Sequence, residues 1–253
     1  MTRSALALAM ALLGSGVLGS TKQTGALADS THRWRTFSEL EYPSQALVAG
    51  IEGTVVIDVT LNDDGTVDRA TTLGGHPALA TPALDNTRGW RFANNPQRRA
   101  IVTYVFAIQR SCQSSEGFLF RMMHSNLVEV IACVPGGLPE VVPTPDEGPQ
   151  PISFEDLRYP AFAHSARIQG AAVVRATFDV EGVVHSAEGL AGHPALVDAA
   201  AQNARTWRYR TKGPGTTVVV YDFQLDGTCL LVRSLFRVVR ANYVTVKSCT
   251  PLL

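Results

Sequence analysis

The sequence predicts an α+β protein: two tandem copies of a small antiparallel-sheet module, strand–strand–helix–strand, with helices on one face and a β-hairpin after each copy. Three observations carry that prediction. The first is an internal repeat, in which Leu40–Cys112 aligns without a gap to Leu157–Cys229 at a constant offset of 117 residues. Gly75-His76-Pro77-Ala78-Leu79 meets Gly192-His193-Pro194-Ala195-Leu196, and Trp90-Arg91-Phe92 meets Trp207-Arg208-Tyr209. Register held over that length marks a duplication. The second is a strand opening at Gly53 and Gly170, with period-two apolar alternation in the first copy. The third is a His-Pro helix opening in each copy, with Leu196, Ala199, Ala200 and Asn203 sharing a face in the second.

Each element follows from local chemistry. Tyr42-Pro43 and Tyr159-Pro160 read as packing and turn residues that anchor the incoming chain. Ser44–Gly50 and Ala161–Arg167 then suit a short helix or turn, with Pro pre-set for a first helical position. Val55, Ile57, Val59 and Leu61 alternate with residues suited to water, as in a half-buried strand. Asn62-Asp63-Asp64-Gly65, and Val180-Glu181-Gly182 in the second copy, supply a hairpin turn with Gly where φ must be positive. Second strands run through Val67–Leu73 and Val184–Leu190. Helices follow at Ala78–Arg88 and Ala195–Arg205, with His76 and His193 placed to cap them. Third strands occupy Arg98–Arg110 and Thr216–Asp226.

Past the cysteines the repeat continues with one residue deleted. Leu119-Phe120-Arg121 matches Leu235-Phe236-Arg237, Asn126 matches Asn242, and Cys133 matches Cys249. These segments read as hairpins, with Val128, Val130 and Val244, Val246 in the return strands. Between the copies, Val134 to Pro151 carries six prolines. Such a stretch is an extended spacer of ~3.1 Å per residue, expected to hold the copies tens of ångströms apart.

The N-terminus reads as an export signal. Met1-Thr2-Arg3 gives a positive start and Ala5–Leu18 an apolar run shorter than the ~20 residues that span a bilayer. Ala26-Leu27-Ala28 offers small residues at the positions a signal peptidase reads. The domain plan is therefore 1–28 signal peptide, 29–135 first copy, 136–151 linker and 152–253 second copy. Localisation is expected in the periplasm, with an inner-membrane anchor if Met1–Ala28 is retained.

Composition narrows function. The 253 residues carry 22 basic and 22 acidic side chains and 45% hydrophobic residues. That balance, with no basic stripe, argues against nucleic acid, and the apolar fraction is that of a folded protein. No catalytic, cofactor-binding or metal-binding residue is assigned. None of the six histidines forms a helical His-x3-His pair or joins Cys at zinc spacing. His124-Ser125 has no third member, and Gly74-Gly75 lacks the Lys-Ser/Thr of a phosphate loop. Trp90 and Trp207 read as core, whereas Arg91 and Arg208 alternate away from them toward solvent or a partner.

Four cysteines in an exported chain favour disulfides. The repeat selects Cys112–Cys133 and Cys229–Cys249, one per copy, each closing a hairpin.

The repeated landmarks resemble the C-terminal domain of TonB proteins. They are Tyr-Pro, Ile51-Glu52-Gly53, Asp64-Gly65-Thr66-Val67 and Trp90-Arg91-Phe92, then Ile168-Gln169-Gly170, Glu181-Gly182-Val183-Val184 and Trp207-Arg208-Tyr209. The resemblance covers Phe37–Gln109 and Phe154–Leu225. It implies an energy-transduction family of Gram-negative envelopes, whose C-terminal domain adds a short receptor segment to an open sheet edge. The partner implied is a protein or peptide of the cell envelope, an outer-membrane receptor or transport complex, with no small-molecule cofactor. The matching edge strands place Val102, Tyr104, Phe106, Val219, Tyr221 and Phe223 at the partner site. Ala5–Leu18 lacks the His that the family's membrane helix carries, and only Asp29 to Glu39 precede the first copy. The second reading is therefore a soluble bivalent scaffold of the envelope without energy transduction. If each disulfide hairpin extends its sheet, binding moves to a new outer edge, expected at Leu127–Ile131 and Tyr243–Lys247.

Overall fold

A computed structural model describes residues 34–93, 96–109, 117–124, 126–134, 148–229 and 234–251. The expected signal segment, Ser125, Cys112 and most of the linker lie outside the described residues. The first copy contains β1 (Trp34–Thr36), α1 (Ser44–Val48), β2 (Gly53–Leu61), β3 (Val67–Gly74) and α2 (Pro77–Arg88). It continues through β4 (Arg91–Phe92), β5 (Arg99–Gln109), β6 (Gly117–His124) and β7 (Leu127–Cys133). The second copy opens with β8 (Gln150–Ser153), α3 (Ala161–Ser165), β9 (Gly170–Phe178), β10 (Val184–Ala191) and α4 (Pro194–Ala204). It ends with β11 (Arg208–Arg210), β12 (Gly215–Cys229), β13 (Ser234–Arg240) and β14 (Tyr243–Pro251).

Each copy builds one five-stranded sheet, in the orders β3-β2-β5-β7-β6 and β10-β9-β12-β14-β13. Two similar α+β modules in tandem are thus present. The sheets are mixed rather than antiparallel throughout. The hairpin after β5 skips one position, and its return strand β7 comes back beside β5 in parallel, from Thr103 opposite Leu127 to Gln109 opposite Cys133. β14 repeats this against β12, from Val220 opposite Tyr243. A two-stranded ribbon supplements each sheet, β1 with β4 and β8 with β11. β8 begins at Gln150, inside the stretch read as linker, because pairing with β11 recruits the end of that stretch into the second copy.

The helix side of each sheet holds the main cores. Val55, Ile57, Val59 and Leu61 pack with Leu79, Ala83, Trp90 and Tyr104, and Val174, Ala176 and Phe178 pack with Leu196, Ala200, Trp207 and Tyr221 in the second. Both long helices open as the His-Pro motif implies: Nδ1 of His76 accepts the Ala78 N–H at 3.2 Å and Nδ1 of His193 the Ala195 N–H at 3.3 Å. Pro43 and Pro160 sit at the N-cap of the short helices, one residue earlier than expected. The phenols of Tyr42 and Tyr159 reach past those helices to donate to the carbonyls of Ile51 and Ile168, at 2.6 and 2.7 Å.

One pair of glycines explains why two distant landmarks recur together. Gly65 and Gly182 turn the first hairpin at φ +84° and +79°, and Phe92 and Tyr209 donate their N–H groups to the carbonyls of these glycines at 2.8 Å. A Cβ there would lie 2.1 Å from the Phe92 carbonyl oxygen or 1.8 Å from that of Tyr209. Only glycine admits the approach, so the turn and the Trp-Arg-aromatic strand are coupled.

The other sheet faces meet each other. Val56, Ile101, Val105 and Leu127 of the first copy form a third core with Val173, Leu190, Val218, Val220 and Tyr243 of the second. Val56 and Val173, Ile101 and Val218, and Leu127 and Tyr243 are equivalent in the repeat, so the copies join through matching surfaces about an approximate two-fold axis. This corrects two expectations. The copies are not held apart by the linker, and β2 is not half-buried, since Val55, Val56 and Ile57 are all fully buried. The run Ala100–Phe106, apolar except for Thr103, has the composition of a strand covered on both faces.

Candidate functional site: the sheet edges

The residues expected at the partner site divide sharply. Val102, Tyr104, Phe106, Val219, Tyr221 and Phe223 are all fully buried on the helix side of strands paired along both edges. Val128, Val130, Val244 and Val246 are equally buried, and their strands β7 and β14 are interior. The hairpin does extend the sheet over the β5 and β12 edges, but the expected outer strands are corrected. The return strand takes the inner place, and the outgoing strands β6 and β13 form the rim. Periodicity cannot reveal this, because a hairpin presents the same alternation whichever arm docks.

Arg91 and Arg208 are exposed, as read from the sequence, and each is tied to its own hairpin turn. Arg91 lies 3.5 Å from Asp64, and Nε of Arg208 donates to the Glu181 carbonyl at 3.1 Å. Hydrogen bonds from the Thr66 hydroxyl and N–H hold the Asp64 carboxyl below the usual carboxylate range, with Arg91 a smaller contributor. These arginines therefore brace the turn.

One Asn per copy, Asn86 and Asn203, assigned no hydrogen-bonding role from the sequence, organises the module beneath the rim. Oδ1 of Asn203 accepts from Nε1 of Trp207 at 2.9 Å and from the Tyr221 hydroxyl at 3.0 Å, while its Nδ2 donates to the Glu155 carbonyl at 2.7 Å. Asn86 makes the same set with Trp90, Tyr104 and Ser38. The signal was present, since Asn86 and Asn203 are equivalent in the repeat. From this hub a lead aromatic reaches the edge strand: Phe37 lies 5.9 Å from Trp90 and 5.5 Å from Phe120, and Phe154 lies 5.4 Å from Trp207 and 5.8 Å from Phe236.

The sheet ends differ in character. β3 and β10 each carry two register shifts and expose Asp68, Arg69, Thr71 and Thr72, or His185, Ser186 and Glu188. Bulges and charges of this kind blunt an edge against further pairing. β6 and β13 instead run in regular register from Gly117 to Met122 and from Ser234 to Val238, with the only shift at the far end. They expose Phe118 (48%), Leu119 (49%), Leu235 (60%) and Val239 (41%). Among the described residues no strand pairs with their outer side.

Cys133 ends β7 and Cys249 lies in β14. The side chains of Cys112 and Cys229, their expected partners, lie outside the described residues. The backbone register is compatible with the expected pairing, because Thr228 stands opposite Thr250 and so brings Cys229 close to Cys249. Among the described residues, no group of three or more His, Cys, Asp and Glu side chains is placed to hold a metal ion, and no helix is long and apolar enough to cross a membrane.

These features define a class: a duplicated α+β sheet module presenting two outer edges that are regular in register and carry exposed apolar side chains. The profile of the family described as Gram-negative bacterial TonB protein C-terminal matches residues 38–109 and 155–225, more than half of the chain. The protein belongs to that family. It is 37% identical to Protein TonB of Salmonella typhimurium over 90 residues, 34% of this chain and 36% of the relative. It is 34% identical to Protein TonB of Escherichia coli over 84 residues, 32% of this chain and 35% of the relative. The match thus spans about a third of the length of these curated relatives.

Proposed function

We propose that this protein is a TonB-like, periplasmic protein-binding component of cell-envelope transport. It engages an outer-membrane receptor or a partner of the transport complex by strand addition at β6 and β13. The observation that carries the reading is the contrast between the ends of each sheet. One is bulged and polar, while the other is regular in register, exposes large apolar side chains beside Arg121 and Arg237, and is unpaired on its outer side among the described residues. Main-chain ladder groups on such an edge provide affinity with little demand on partner sequence, and the exposed side chains add pockets. Export through a cleaved signal at Ala28 and one disulfide per copy belong to the same reading, since a disulfide would brace the hairpin that carries the edge.

The packing of the copies through a shared core favours a second form of the proposal. Two edges fixed relative to one another suit a bivalent scaffold, which needs no energy transduction. Photo-crosslinkers placed at Leu119 and Leu235 in the native envelope, with controls at Thr72 and Ser186, test both. Crosslinks from Leu119 or Leu235 to an outer-membrane receptor or an inner-membrane transport subunit support the transport role. Crosslinks to two copies of some other envelope protein support the scaffold. Crosslinks only from Thr72 and Ser186 overturn the choice of edge.

A further inference from the structure

The approximate two-fold relation between the copies is broken at one place, and that place is a cavity. On one side of the seam, Arg240 donates to Oε1 of Glu52 at 3.0 Å and Asn242 donates to the Thr54 carbonyl at 3.4 Å. These contacts tie the copies together. The equivalent positions on the other side hold His124 for Arg240 and Gln169 for Glu52, and no matching ion pair forms there among the described residues. His124 turns to Asp222 instead, at 2.7 Å. What remains is a cleft of about 340 Å³, walled by Ile101 and His124 of the first copy and by Arg167, Ile168, Val173 and His193 of the second.

Three features of the wall point to one ligand chemistry. First, no Asp or Glu lines the cleft, whereas Arg167 and two histidines do. Asp222, the carboxylate that His124 contacts, is fully buried and already accepts from His124, Tyr243 and Gln224. Second, Arg167 adopts φ +55°, a left-handed conformation that side-chain-bearing residues disfavour. The first copy places Gly50 at the equivalent position with φ +64°, the unstrained choice. The other arginine in this conformation, Arg98 at φ +49°, is bound locally through Leu61 and Asp63. Arg167 is an exposed residue of the cleft wall, and its side chain makes no hydrogen bond or ion pair among the described residues. Third, Nδ1 of His193 is occupied by the Ala195 N–H, which leaves Nε2 as the proton-bearing donor. A strained arginine without a side-chain partner among the described residues, lining one cleft with a donor imidazole and apolar residues, fits a carboxylate with a short apolar body.

We propose that the cleft between the copies binds a small carboxylate ligand. Arg167 takes the carboxylate in a two-pronged hydrogen bond, His193 adds a donor, and Ile101, Ile168 and Val173 cover the apolar body. The ligand is either a free organic acid or the C-terminal residue of a peptide, which share this chemistry. The cleft shares His124 with the end of β6 but none of the exposed apolar residues of the rims, so its failure leaves the strand-addition reading untouched.

The test uses the intact protein with its disulfides formed. Hexanoate, acetyl-alanyl-leucine and the amide of that dipeptide are titrated while the ring signals of His124 and His193 are followed by NMR and the heat by calorimetry. Saturable binding of hexanoate with movement of the His193 ring is expected. Tighter binding of the dipeptide acid than of its amide marks a chain terminus, and binding of hexanoate alone marks a free acid. Arg167→Gly, which installs the residue of the first copy, is expected to raise the melting temperature by about 2–4 °C through relief of strain. The same variant should weaken hexanoate binding by at least ~10-fold, the loss of a charge-assisted pair. No ring movement and no heat up to about 50 mM, a concentration that detects even millimolar affinity, overturns the proposal. So does unchanged binding by Arg167→Gly, or a lowered melting temperature, which would make Arg167 a structural residue.

Discussion

Nε2 of His124 lies 2.7 Å from Oδ1 of Asp222, across the seam between the two copies. Asp222 is fully buried, and Tyr243 donates to its other oxygen at 2.9 Å. The first copy has Val105 and Leu127 where the second has Asp222 and Tyr243. Asp222→Val alone leaves the Tyr243 hydroxyl buried without an acceptor, so it is expected to cost about 1–3 kcal/mol. The double variant Asp222→Val, Tyr243→Leu reproduces the first copy's pair and should recover most of that loss, since both polar groups are gone. Urea unfolding of the single and double variants decides it. An additive or larger loss in the double variant would show that packing, not the hydrogen bonds, dominates at this point.

Asn203 holds helix α4, the lead segment and strand β12 together. Asn203→Ala strands the Trp207 Nε1–H and the Tyr221 hydroxyl in the core and is expected to lower stability by about 2–4 kcal/mol. Asn86→Ala, at a less buried site, should cost less. The same unfolding curves rank the two, and a larger loss at Asn86 contradicts the assignment of burial as the deciding factor.

All six tyrosines have phenol pKa values held above the ordinary value, with burial the largest cause in every case. A group whose pKa is raised in the folded state binds its proton more tightly there than in the unfolded chain. Its stabilising contribution is therefore complete below the unfolded value, near 10, and falls as pH rises beyond it. The expectation is cooperative unfolding above about pH 10, with the phenols ionising together as the chain opens. Phenolate absorbance followed alongside circular dichroism checks this. Six phenols titrating near 10 with an unchanged fold would refute it.

Non-reducing peptide mapping is expected to yield Cys112–Cys133 and Cys229–Cys249 linkages, each contributing roughly 3 kcal/mol by the chain-entropy estimate. A linkage between the copies would be the contrary result. Reduction should loosen the hairpins that carry β6 and β13 before it affects the helix-side cores, and amide exchange resolved along the chain reports that order.

The sequence by itself determined the duplication, the strand–strand–helix–strand order, the capping of α2 and α4 by His76 and His193, and the core placement of Trp90 and Trp207. Each of these rests on local chemistry: periodicity, a turn glycine, a proline next to a helix start. Tertiary structure alone decided which arm of each hairpin docks, and therefore that Val128 and Val244 lie inside the sheet while Leu119 and Leu235 lie on its rim. Alternation along a strand states that one face is apolar but not which neighbour it meets. The same limit hid the seam between the copies. Val56, Ile101 and Val105 are apolar residues on the second face of their strands, and only the packed pair shows that another copy of the module covers them. The cleft at Arg167 is further removed from sequence, because it arises where two nearly equivalent surfaces differ by a few side chains, and that mismatch exists only once they are pressed together.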